Sequence, residues 1–135
     1  MINEALRQKL FFLIIGSSAF IIDCSITQFN VYYFKLNPWL ARIPAIITSL
    51  LFTWHHNRTY TFKSKNPKSI REFIMYSSST IITASINYGI YSALVGLSSL
   101  CYTHPILALA PATLLTMFIN FNAYKYILSK PTETT

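Results

Sequence analysis

The sequence predicts an all-α membrane protein: four transmembrane helices forming two parallel-oriented helical-hairpin repeats, with both chain termini cytoplasmic. Three observations point there. Charge is scarce: hydrophobic residues make up 53% of the 135 positions and charged ones 11%, where a soluble domain carries roughly 25% charge. The apolar residues gather into four runs, residues 10–34, 38–56, 72–97 and 105–128, each about long enough for the ~30 Å hydrocarbon layer that some 20 helical residues span. The bases are distributed unevenly between the connections. Nine (Arg7, Lys9, Arg58, Lys63, Lys65, Lys68, Arg71, Lys125 and Lys130) fall in or beside the N-terminal lead, the middle loop and the C-terminal end; two, Lys35 and Arg42, fall at the other connections. The excess of Lys and Arg marks the cytoplasmic side, so both termini and loop 57–71 are expected there. The whole chain reads as one membrane domain.

Residues 1–9 form a short polar lead with Glu4, Arg7 and Lys9. The first run carries Asp23 near its middle, with Ser17, Ser18, Ser25, Thr27, Gln28 and Asn30 along it. That polarity suits a helix packed against others rather than one alone in lipid. It closes in Tyr32-Tyr33-Phe34, aromatic residues suited to a membrane interface. Lys35-Leu36-Asn37 reads as a tight turn, and Pro38 suits the first position of the next helix, where a missing N–H is no loss. The second run ends in Phe52-Thr53-Trp54-His55-His56, then Asn57-Arg58. Apolar, aromatic and cationic layers follow one another as they do on leaving a bilayer. Asn57 is a candidate cap for that helix's carbonyl end. Tyr60-Thr61-Phe62 is expected as a short extended piece in the interface. The third run is rich in Ser, Thr and Asn; residues 98–104 read as a loop, Pro105 opens the last helix, and the tail 131–135 is expected to fray.

The halves resemble each other. Leu6-Arg7, Phe12 and Asp23 match Ile70-Arg71, Tyr76 and Asn87 at a shift of 64. Pro38, Ala41, Pro44, Ala45, Trp54 and Arg58 match Pro105, Ala108, Pro111, Ala112, Phe121 and Lys125 at a shift of 67. Both halves enter and leave on the same side, which makes the repeat parallel rather than inverted. The net charge of +7 sits in short segments between apolar runs. That placement favours anionic headgroups over nucleic acid as a partner. Cys24 and Cys101 differ in expected depth by about 10 Å at the helical rise, which speaks against a disulfide. The first run is too long for a cleaved signal core and contains Asp23.

With Asn57-Arg58-x-x-Thr61-Phe62 after the second helix, Gly16 and Asp23 in a Phe-rich first helix, and a weaker echo, Phe121-x-x-x-Lys125, after the fourth, the chain resembles the GtrA-like family of small bacterial membrane proteins. The likeness covers about residues 7–130. Two departures stand out: Gly16-Ser17 where the family usually has Gly-Gly, and Tyr126-Ile127-Leu128 in place of a terminal Phe. The resemblance implies a protein of the bacterial cytoplasmic membrane that flips a polyprenyl-phosphate-linked sugar for cell-surface polysaccharide synthesis. It further implies a membrane glycosyltransferase as partner. A four-helix monomer encloses little volume, so a homo-oligomer is expected.

The residues singled out for contact with phosphate or sugar are Asp23, Arg42, Asn57, Arg58, Asn87 and Lys125. A carboxylate near the bilayer centre is costly and requires a partner. Asp23 lies about 18 Å deep and Arg42 about 22 Å, counted inward at 1.5 Å per residue. The two form either a pair lining a substrate path, with Arg42 able to exchange the carboxylate for a lipid phosphate, or a static helix–helix pair, unless Arg42 simply snorkels to the outer headgroups. Arg58 and Lys125 either grip the phosphate or set topology only. His55 and His56 point about 100° apart on a helix and do not share a metal readily. No metal, cofactor or catalytic set is called for: there is no HExxH, CxxC or Gly-rich phosphate loop. Two rivals remain open, a small drug/proton antiporter using Asp23 and a non-transporting scaffold for a glycosyltransferase.

Overall fold

The computed structural model describes residues 1–104 and 106–130, apart from the side chains of Pro38, Trp39, Arg42, Ile106 and Leu109. Pro105 and the tail 131–135, which carry two of the sequence expectations, lie outside the described residues. The described residues are helical and contain no strand. They divide into two compact units, Met1–Lys65 and Asn66–Thr135.

The first unit is a hairpin of α1 (Glu4–Tyr33) and α2 (Pro38–His56). Helix α1 reaches well into the polar lead because Asn3 caps it: the Asn3 side chain accepts from the Ala5 N–H at 3.2 Å, and Glu4 in the first turn complements the helix dipole. The helix ends where Lys35 takes left-handed backbone, φ 53°. That reversal brings the Leu36 N–H back onto the Asn30 carbonyl at 3.3 Å, which already accepts the last helical bond from Phe34 at 3.2 Å. Helix α2 begins at Pro38 as its fixed φ and missing N–H allow. The two helices run antiparallel. Near the closed end of the hairpin the buried Asn30 amide donates to the Ala41 carbonyl at 3.1 Å; further along, the Ser49 hydroxyl donates to the Ala19 carbonyl at 3.1 Å.

The second unit pairs α3 (Ile70–Leu97) with α5 (Ile106–Ser129). Ser69 caps α3, its hydroxyl accepting from the Glu72 N–H at 3.1 Å, the Ser-x-x-Glu spacing of a capping box. Residues 98–104, expected as loop, contain a short helix α4 (Ser99–Thr103) capped by Ser98, which accepts from the Cys101 N–H at 3.4 Å. A ladder of side-chain hydrogen bonds joins α3 to α5. Thr80 meets the Tyr124 hydroxyl at 2.5 Å, Thr83 donates to Asn120 Oδ1 at 2.6 Å, and Asn87 donates to Thr116 Oγ1 at 3.1 Å. The rungs advance on one helix as they retreat on the other, so this hairpin is antiparallel too.

The interior along each seam is mainly small or polar, with a few large side chains enclosed beside it, Ile15 and Phe62 in the first unit and Tyr76, Tyr124 and Leu128 in the second. Ala41 and Ala45 in one, Ala108 and Ala112 in the other, are fully buried, with Asn30, Thr83 and Thr116 also enclosed. Most large apolar side chains point outward: Ile14, Phe20, Ile81, Leu114 and Phe118 are about 60% exposed or more. Helices α1 and α3 are long and apolar enough to cross a membrane. Close helix approach over alanine is the packing expected where lipid, not water, surrounds the helices.

If Ala45 is the contact that lets α1 and α2 approach, Ala45→Leu will overpack the seam and cost about 1–3 kcal/mol. Ala110→Leu, at an exposed site of α5, will stay within about 0.5 kcal/mol. Denaturant unfolding of the two variants in the same detergent checks the contrast.

Candidate functional site

Helix α2 does not stop at His56. It continues into a single π-helical turn, Asn57–Thr61, so the extended piece expected at Tyr60-Thr61-Phe62 is not formed and the cap expected at Asn57 is superseded. Two local causes are visible. The Phe62 N–H skips a residue and bonds the Asn57 carbonyl at 2.9 Å, and Lys63 then turns left-handed, φ 47°, which brings the Ser64 N–H to the Arg58 carbonyl at 2.9 Å. Extended backbone would leave these groups without partners.

The four specified residues of the Asn57-Arg58-x-x-Thr61-Phe62 motif are all buried, and the two unspecified ones, Thr59 and Tyr60, are exposed. The wide turn places Thr61 under Asn57, where its hydroxyl donates to Asn57 Oδ1 at 2.9 Å. Arg58 is 6% exposed and Thr61 has no exposed surface. The motif is thus a spacing rule for an inward-facing turn, not a run of surface cations.

Arg7, from the start of α1, holds that turn in place. Its guanidinium donates to the Tyr60 carbonyl at 2.7 Å and the Thr61 carbonyl at 3.2 Å, two acceptors that the end of a helix leaves without intrahelical donors. The same group donates to both Glu4 carboxylate oxygens, at 2.9 and 2.5 Å. It also lies 5.5 Å from the centre of the Phe11 ring. Hydrogen bonding to Arg7 holds the Glu4 carboxyl below its ordinary range, and the Glu4 bond in turn raises Arg7. Both precede the apolar run that begins at Leu10. A column of rings continues the clamp: Phe11 stacks on Tyr60 at 6.4 Å, Tyr60 on His56 at 5.8 Å, and His56 on Phe52 at 4.0 Å. His56 Nδ1 faces the Phe52 carbonyl at 2.8 Å; a carbonyl only accepts, so Nδ1 carries the proton.

The structure distributes the singled-out residues over both units. Asp23 is half-buried midway along α1 and accepts from the Thr27 hydroxyl at 3.4 Å. Asn57 and Arg58 stand together in the π turn. Asn87 is engaged with Thr116 in the second unit, and Lys125 is exposed on α5. The side chain of Arg42 lies outside the described residues. Arg58 and Lys125, equivalent by the shift of 67, therefore differ: one is enclosed and one faces outward. The equivalents of Asn57 and Thr61 are Tyr124 and Leu128, and these are buried too. Arg7 was not among the residues picked from the sequence; its match to Arg71 is the signal that pointed to it. Among the described residues no three of His, Cys, Asp and Glu gather where a metal would need them.

Hairpins that wear their apolar side chains outside and keep hydrogen-bonded polar groups within define an all-helical membrane protein. The model of the GtrA/DPMS transmembrane domain family matches residues 11–129, and the chain belongs to that family. Membership associates it with membrane processes of polysaccharide synthesis and glycosylation. No curated protein and no solved structure matches the chain.

The Arg7 clamp has a pH signature. Because the Glu4 carboxyl is held low, its contribution is complete above the ordinary carboxylate value of about 4.3 and is lost as pH falls through the depressed value. Hydrogen exchange at the Phe62 and Ser64 amides is therefore expected to show no added opening above about pH 4.3 and progressively more as pH falls from there through the depressed value. Arg7→Gln will speed exchange at both amides severalfold at neutral pH, and Glu4→Gln will remove the acid-dependent change.

Proposed function

We propose that the chain translocates a polyprenyl-phosphate-linked sugar across the bacterial cytoplasmic membrane, delivering it to a membrane glycosyltransferase for cell-surface polysaccharide synthesis or glycosylation. The family match across residues 11–129 carries the reading. In this arrangement α1, α2, α3 and α5 each cross the bilayer once. The N-terminus, the segment 57–71 and the C-terminal end lie on the cytoplasmic side, as nine of the eleven bases require. The two hairpins then enter and leave on the same side as a parallel repeat. The chain performs no covalent chemistry of its own and needs no cofactor or metal. It works as a homo-oligomer, because two hairpins with alanine-lined seams enclose little room for a sugar.

Asp23, Arg42, Asn57, Arg58, Asn87 and Lys125 are the residues put forward for phosphate and sugar contact. A carboxylate midway along an apolar helix is expensive to keep in lipid, which supports a use for Asp23 beyond packing. An Arg42 guanidinium suits a phosphodiester or a carboxylate equally, by paired N–H donors.

Purified protein in vesicles bearing a lipid-linked sugar on one leaflet will expose that sugar to a membrane-impermeant enzyme on the other. Asp23→Asn will slow transfer by about tenfold or more at normal abundance, as the loss of one charged contact allows. A protein that merely anchors a glycosyltransferase would move nothing, and full transfer by Asp23→Asn would remove the carboxylate from the mechanism. Protein that cross-links only as monomer in membranes would overturn the oligomer.

A further inference from the structure

The seam between α3 and α5 opens on one side into a groove of about 390 Å³. Its walls are Ile74, Met75, Ile82 and Ile86 from α3 and Ile119 and Ile127 from α5. Three hydroxyl residues also line it, yet they present little free polarity. Thr83 is committed to Asn120 Oδ1 and to backbone carbonyls of its own helix; Ser78 and Ser79 are small enough to form the floor. From Ile74 to Ile86 the groove follows α3 for about 18 Å at the helical rise. A trough along one helix seam takes a single hydrocarbon chain lengthwise, not the pair carried by a phospholipid.

Charge marks one end only. Arg71 precedes Ile74 by three residues and Met75 by four, which puts it on the same face of α3, one turn beyond the groove. Lys130 follows Ile127 by three and stands just past the end of α5. Both are exposed. Lys130 donates to the Tyr126 hydroxyl at 2.5 Å and lies 4.6 Å over that ring; an ammonium has three donors, so others are left for an anion. The Asn66 amide bonds the Lys130 carbonyl, tying the segment before α3 to the end of α5. From Phe73 to Leu97 and from Ile106 to Tyr124 there is no charged residue. Apolar trough and cationic end together fit one anionic head on one long apolar tail.

We infer that this groove holds the polyprenyl chain of the lipid-linked substrate, with its phosphate at Arg71 and Lys130. The inference rests on the transport reading and gives the second unit a task of its own: keeping hold of the tail.

A polyprenyl phosphate carrying a diazirine on its chain, added to the full protein in phosphatidylcholine vesicles and irradiated, tests it by mass spectrometry of the adducts. The expected adducts fall within residues 74–86 and 119–127 and are displaced by unlabelled polyprenyl phosphate but not by equal phosphatidylglycerol. Removing both cations (Arg71→Gln with Lys130→Gln) will weaken labelling about tenfold, as charge-assisted bonds to phosphate allow. Ser78→Phe, which fills the trough, will abolish it. Adducts scattered over the outward apolar side chains, or equal displacement by phosphatidylglycerol, overturn the assignment; this arm uses the unaltered chain and does not depend on a variant folding. If sugar crosses the bilayer while adducts map elsewhere, the groove assignment falls and transport stands. If adducts map to the groove and nothing crosses, transport falls and the groove stands.

Discussion

Everything in this chain answers to one constraint: in lipid, a polar group has no water to fall back on and must find its partner inside the protein. The outward surface is mostly apolar; exposed Thr48, Ser85 and Asn122 turn back to carbonyls of their own helices, and other polar groups are drawn into the seams. In the second unit they form a ladder, Tyr124 to Thr80, Asn120 to Thr83 and Thr116 to Asn87. In the first they reach for backbone instead, Asn30 to the Ala41 carbonyl and Ser49 to that of Ala19. Alanine at 41, 45, 108 and 112 keeps the helices close enough for such short side chains to span the gap.

The same constraint shapes the motif turn. A helix end leaves carbonyls unpaired, and here three devices share them: the shifted Phe62 N–H, the reversal at Lys63, and the Arg7 guanidinium arriving from the opposite helix of the hairpin. Glu4 keeps Arg7 aimed. Once the turn is fixed, Asn57, Arg58, Thr61 and Phe62 face inward together. Arg7 therefore belongs to the motif turn structurally, although 50 residues separate it from Asn57.

Much of the architecture was legible. The apolar runs starting at Leu10, Pro38 and Glu72 lie on α1, α2 and α3, because continuous apolar sequence of that length has few alternatives to a helix. Pro38 opens α2 as its ring geometry dictates. The positions matched by the shift of 67 carry buried alanines in both units. The π turn was not legible. Thr59, Tyr60, Thr61 and Phe62 are β-branched or aromatic and locally favour extended backbone; the Arg7 guanidinium, a donor distant in sequence, together with the shifted Phe62 N–H overrides that preference. The groove was hidden for a related reason. Ile119 and Ile127 meet Ile74 and Ile82 only once the register of α3 on α5 is known, and the rungs at Thr80, Thr83 and Asn87 set that register. Helix α4 escaped because Ser98 caps a stretch too short to show any period.

An interior of alanine, threonine and asparagine has a thermodynamic corollary. The rise in heat capacity when a protein melts comes mainly from apolar surface meeting water. Here most large apolar side chains already face outward, and in a bilayer they stay in hydrocarbon whether or not the seams hold. Melting each hairpin should thus absorb little extra heat per degree. Its stability curve is then nearly straight with temperature, lacking the pronounced optimum of water-soluble domains, and cooling alone will not loosen it.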